Sequence, residues 1–65
     1  MISENIKKIR KKKEISQDKL SKLANVTLTT LSKIESGINR NPTINTLQKI
    51  AKALEVGVDE LIKDK

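Results

Sequence analysis

Apolar positions recur along this 65-residue chain at intervals of three and four and never alternate over a sustained stretch, a pattern that reads as all-α. Ile2, Ile6 and Ile9 predict a first helix, with Ser3 as its N-cap. Ser16 is placed to cap a short second helix that turns Leu20, Leu23 and Ala24 inward. Thr27 opens a third, with Leu31 and Ile34 buried and Gly37 as a left-handed stop. Pro42-Thr43 opens a fourth, capped by Thr43, whose stripe is Ile44, Leu47, Ile50, Ala51 and Leu54. Val56 and Gly57 break the pattern. Val58, Leu61 and Ile62 then form a last short helix, with Asp59 and Glu60 near its positive end. Five short helices with short connections and no linker predict one compact globule spanning residues 1–65.

The second and third helices are separated only by a tight turn at Ala24-Asn25-Val26. The segment SQDKLSKLANVTLTTLSKIES, residues 16–36, is therefore an amphipathic helix, a turn and another amphipathic helix. That is the layout of a helix-turn-helix, whose second helix enters the major groove of DNA. On a helical wheel, Leu31 and Ile34 mark the buried side of the third helix. Thr29, Ser32, Lys33 and Ser36 face outward, with Leu28 and Thr30 at the edges. An ordinary solvated helix face mixes Glu with Lys. This one carries no acid. Small hydroxyls can approach base edges closely, a Thr methyl can touch a thymine methyl, and Lys33 can donate to guanine. Taken alone, the same residues would also serve as neutral surface.

Charge tips that balance. The formal net charge of +6 lies wholly in residues 1–40, where ten Lys and Arg face only Glu4, Glu14, Asp18 and Glu35. The remaining residues carry four of each sign, so a polyanion-binding part adjoins a neutral supporting part. The run Lys11-Lys12-Lys13, with Lys7 and Lys8, suits the C-terminal end of a helix and adds long-range steering charge. The chain has no Phe, Tyr or Trp. Its core must be aliphatic, and it lacks the aromatic platforms on which RNA readers stack bases, which favours duplex DNA. A membrane-surface helix would want Trp or Phe on its apolar face. No apolar run approaches the ~20 residues of a membrane span, and no signal-peptide core follows Met1, so a soluble cytoplasmic protein is expected.

With neither Cys nor His, disulfides and the usual zinc sites are excluded, and no acidic cluster suggests a metal or cofactor. Ser16-Gln17-Asp18-Lys19 fits the S-x-x-K nucleophile motif, but that chemistry needs further motifs and a far larger domain. A helix cap accounts for Ser16, and the chain is not expected to be an enzyme. A chain this short buries only about 60% of its unfolded surface, and its core rarely supplies more than roughly 3–5 kcal/mol.

In order and spacing, IKKIRKKKEISQDKLSKLANVT, TLSKIESG, NPTINTLQKIAKAL and VGVDELI resemble the DNA-binding domain of phage-repressor-type regulators, the Cro/CI-like XRE family. The resemblance covers nearly the whole chain and implies a five-helix, lambda-repressor-like fold. It places Leu28, Thr29 and Lys33 at base-contacting positions, with Ser32 and Thr30 as secondary ones. Leu28, commonly polar there, either meets a thymine methyl or packs back on the second helix. Gln17 matches the residue that fixes the second helix on the phosphate backbone, and Thr27 is a further backbone candidate. Ser36, Asn39, Arg40 and Asn41 match a loop that follows the backbone toward the minor groove. Arg10 and Glu35 match an internal ion pair that holds the first helix against the third. Members usually carry Gly where this chain has Glu14, Asn25 and Glu55. A left-handed Glu costs about 1–2 kcal/mol, unless those turns are built differently.

The residues and the resemblance together lead to the expectation of a sequence-specific duplex-DNA-binding repressor. Because one short helix reaches only a few base pairs, it is expected to act as a homodimer on a palindromic operator. Its dimer surface would fall in the neutral C-terminal quarter, at Val58, Leu61 and Ile62, side chains equally suited to closing the monomer core. The competing expectation is an antitoxin or other regulator whose main role is binding a protein partner.

Overall fold

Three of the helices start where a hydroxyl meets otherwise unbonded N–H groups. The computed structural model describes residues 1–63. Among them are α1 (Ile2–Lys12), α2 (Gln17–Ala24), α3 (Leu28–Glu35), α4 (Ile44–Leu54) and α5 (Val58–Ile62). Ser16, Thr27 and Thr43 accept the backbone N–H of Lys19, Thr30 and Thr46 at 3.0, 3.0 and 3.1 Å. Ser3 is not a cap. The helix already begins at Ile2, because Ile2 packs against the core in helical geometry, and Ser3 falls inside the first turn.

The ends of α1, α2 and α4 repeat one device. Glu14, Asn25 and Glu55 all adopt left-handed backbone, with φ of 59°, 57° and 62°. After each comes an apolar residue whose N–H reaches back into the last turn. Ile15 donates to Arg10 O at 3.2 Å, Val26 to Ser21 O at 3.0 Å and Val56 to Ala51 O at 3.0 Å. Ile15, Val26 and Val56 all pack on the core. These are Schellman turns with their usual apolar contact, and burial of that residue offsets the strain of a non-glycine left-handed position. The turns are thus of the ordinary left-handed kind, built without glycine. Among the described residues, a left-handed glycine follows α3 alone, Gly37 with φ 86°.

The apolar side chains of the core are all aliphatic. Ile6, Leu20, Leu31, Ile34, Ile50, Leu54 and Leu61 are fully buried, joined by Ala24, Leu47 and Ala51. Here α2 packs on α3 and α4, while α1 packs on α3 and α5. Two predicted core positions are corrected. Leu23 is 56% exposed, because the inward side of α2 is taken by Leu20, Ala24 and Ser21. The hydroxyl of Ser21 is satisfied within the helix by donating to Asp18 O at 2.7 Å, so a small polar residue can sit there. Ile44 is also exposed, since it opens α4 where the stripe runs past the edge of the core.

The last helix closes the globule. Its Leu61 is fully buried, with α5 packed on both α1 and α4. Five residues are too few to hold a helix alone. Asn5 on α1 fastens its end by donating to Leu61 O at 2.9 Å and Lys63 O at 2.6 Å. Of the three side chains expected to offer a dimer surface, Leu61 is removed by burial in the core, and Val58 is partly buried against it. Of the three, Ile62 keeps the most surface, at 50% exposed. No helix among the described residues is long and apolar enough to cross a membrane, and no metal-ligand cluster occurs among them.

Candidate nucleic-acid interface

Helix α3 separates a buried side from an open one. Leu31, Ile34 and Glu35 are buried, Thr30 is half-buried, and Leu28, Thr29, Ser32 and Lys33 are exposed. Together with Gln17 at the start of α2, those four exposed residues line a single shallow depression. Two helices therefore bring the sequence-predicted base-contacting side chains and one predicted backbone contact onto the same open surface. Leu28 lies within it, beside Gln17. Among the described residues no carboxylate pairs with Lys33, and the nearby acid Asp18 is offset by Lys22 at 3.3 Å. The surface thus presents hydroxyls, an amide and a cation.

The connection that follows α3 is ordered by its own polar groups. Asn39 N donates to Lys33 O at 3.0 Å, Ser36 Oγ to the same carbonyl at 3.2 Å, and Asn41 N to Asn39 Oδ1 at 3.1 Å. Ser36, Asn39, Arg40 and Asn41 are all exposed. Asn39 and Arg40 line a separate concavity with Met1, Ile2, Ser3, Gly37 and Ile62, so they do not share the depression at α3. Thr27 is exposed but its hydroxyl is occupied, accepting from Thr30 N and donating to Thr30 Oγ1 at 2.8 Å.

Beneath the depression lies a buried polar network. Arg10 Nε donates to Glu35 Oε2 at 2.9 Å and Arg10 Nη2 to Glu35 Oε1 at 3.0 Å, a two-point contact. The third Arg10 contact runs from Nη1 to Ile15 O at 2.9 Å, fixing the α1–α2 turn. Gln17 Nε2 donates to Glu35 Oε1 at 3.1 Å. One carboxylate, only 2% exposed, therefore joins α1, α2 and α3. The link from Gln17 to Glu35 had no signal in the sequence, because the two lie far apart and the contact depends on how α2 crosses α3.

A profile described as helix-turn-helix matches residues 6–61. The chain belongs to the helix-turn-helix family. It is 38% identical over 65 residues to the transcriptional regulator SinR of Bacillus licheniformis, which covers all of this chain and 59% of that protein. The solved N-terminal DNA-binding domain of SinR from Bacillus subtilis superposes with a TM-score of 0.95 at 38% identity, covering all of this chain and 94% of that one. SinR in the solved SinR/SinI complex superposes with a TM-score of 0.94 at 38% identity, covering 98% of this chain and 62% of that one. The fold is thus a SinR-type helix-turn-helix domain of the XRE class, a class of DNA-binding regulators and not of enzymes. The chain spans about 59% of the length of the curated SinR relatives it matches.

Proposed function

We propose that this protein binds duplex DNA sequence-specifically as a cytoplasmic transcriptional repressor, residues 1–65 acting as one domain. The observation that carries this reading is the acid-free depression in which Gln17, Leu28, Thr29, Ser32 and Lys33 meet. In this reading α3 lies in the major groove, with Leu28, Thr29, Ser32 and Lys33 toward base edges. Gln17, Thr27 and the loop residues Ser36, Asn39, Arg40 and Asn41 face phosphates. An α3 of eight residues is about 12 Å long at 1.5 Å per residue and spans only a few base pairs. Useful specificity then calls for two copies on a palindrome, with half-sites about 34–36 Å apart. Ile62 is the C-terminal side chain with surface to offer a second copy.

The test is selection from a randomised duplex pool at near-physiological salt, followed by sequencing. Enrichment of a palindrome with half-sites one turn apart supports the dimeric regulator. Retention without enrichment overturns sequence-specific reading and leaves a basic surface. A second reading, in which a protein partner supplies the regulation, is favoured by the solved complex of SinR with SinI. Co-purification with a stoichiometric partner, together with loss of DNA binding in its presence, would support that reading.

A further inference from the structure

We propose that Glu35 is a positioning residue for DNA binding, its carboxylate holding the Gln17 amide so that the second N–H is presented to a phosphate. The inference rests on the reading of Gln17 as a backbone contact and explains how that contact is prepared before DNA arrives. An amide nitrogen carries two hydrogens. One of those on Gln17 Nε2 is spent on Glu35 Oε1 at 3.1 Å. The residue also lines the open depression at α3, where the other hydrogen can meet a ligand.

A bare carboxylate beneath a phosphate site would repel the DNA. Arg10 removes that objection by covering both oxygens of Glu35, so the acid orients the amide without presenting net negative charge. Arg10 is itself nearly buried, with 13% of its side chain exposed, and is anchored to Ile15 O. The glutamine therefore loses its rotamer freedom on folding and not on binding, which strengthens the contact through pre-organisation. Glu35 need not touch DNA to do this.

Two measurements on the intact chain test the proposal. In DNA-free protein, the side-chain amide of Gln17 should show a high NMR order parameter, while the exposed Gln48 serves as a mobile control. That order should change little when a mixed-sequence duplex is added. If the Gln17 amide is as mobile as that of Gln48, or orders only on DNA, the proposal is overturned.

The second measurement compares Gln17→Ala in two backgrounds, the natural one and one carrying Arg10→Met with Glu35→Met. That pair exchange keeps net charge unchanged and replaces a buried ion pair with apolar side chains, a change that proteins often tolerate. Binding to the mixed-sequence duplex should fall about tenfold for Gln17→Ala in the natural background, as expected for a hydrogen bond to a charged group. In the exchanged background the same change should cost about twofold or less. Equal losses in both backgrounds overturn the positioning role while leaving Gln17 as a phosphate donor. No loss in the natural background overturns both.

Discussion

Glu35 receives Arg10 through both carboxylate oxygens, at 2.9 and 3.0 Å, and this contact ties α1 to the buried side of α3. Removing one partner strands the other in a nearly closed site, which costs about 3–5 kcal/mol. That is the whole stability expected of so small a core. Arg10→Met should therefore leave the chain largely unfolded by far-UV circular dichroism at room temperature. Exchanging both residues for Met should restore a cooperative melt. A single variant that melts like the natural protein would show that the pair contributes little.

Glu14 and Glu55 occupy left-handed turns at helix ends, where the peptide dipoles also disfavour an acid. Glycine relieves the strain but gains freedom in the unfolded chain, a partial offset. The net expectation is about 0.5–1 kcal/mol of added stability for Glu14→Gly and for Glu55→Gly, or roughly 4 °C in melting temperature each. The two positions cap different helices, so their effects should add. A decrease in melting temperature would mean that either side chain makes a contact worth more than the strain.

Adjacent residues on α5 separate core from surface. Leu61 is fully buried, whereas half of Ile62 meets solvent. Leu61→Ala should cost about 2–5 kcal/mol, enough to abolish a folded baseline. Ile62→Ser should change stability by less than about 1 kcal/mol. If Ile62 also meets a second copy, its serine variant should stay folded yet lose the steep concentration dependence of binding to a palindrome. Unchanged binding would place the two-fold contact elsewhere.

Lys33 and Gln17 share one depression but should fail differently. Lys33→Ala is expected to change which sequences are selected from a random pool, with a penalty of about 1–3 kcal/mol at the affected base pair. Gln17→Ala should weaken all sequences alike. Arg40→Ala should lower the slope of log affinity against log salt by about 0.9, as loss of one phosphate contact does. Equal losses on every sequence for Lys33→Ala and Gln17→Ala would refute this division of roles.

Much of the architecture is local and was therefore legible in the sequence. The caps at Ser16, Thr27 and Thr43 each use a hydroxyl and an N–H three residues later, so position along the chain is enough to place them. The stripe through Leu47, Ile50, Ala51 and Leu54, and the hydroxyl-rich face of α3, follow from helical periodicity. Periodicity also erred where it was applied one residue too widely. Leu23 is apolar and close to the stripe of α2, yet the buried place went to Ser21.

What only the tertiary structure decided depends on contacts between residues remote in sequence. Whether Leu61 closes the core or faces a second copy turns on the packing of α5 against α1 and α4, and no property of Leu61 itself distinguishes the two. The left-handed strain at Glu14 and Glu55 is tolerable because Ile15 and Val56 find core to bury against. The link from Gln17 to Glu35 exists because α2 crosses α3 at a separation that leaves 3.1 Å between amide and carboxylate. Local chemistry wrote the helices and their outward faces into the sequence, because each hydrogen bond and stripe repeats within a few residues. The way one buried carboxylate joins three helices required the fold, because its partners meet only when the helices pack.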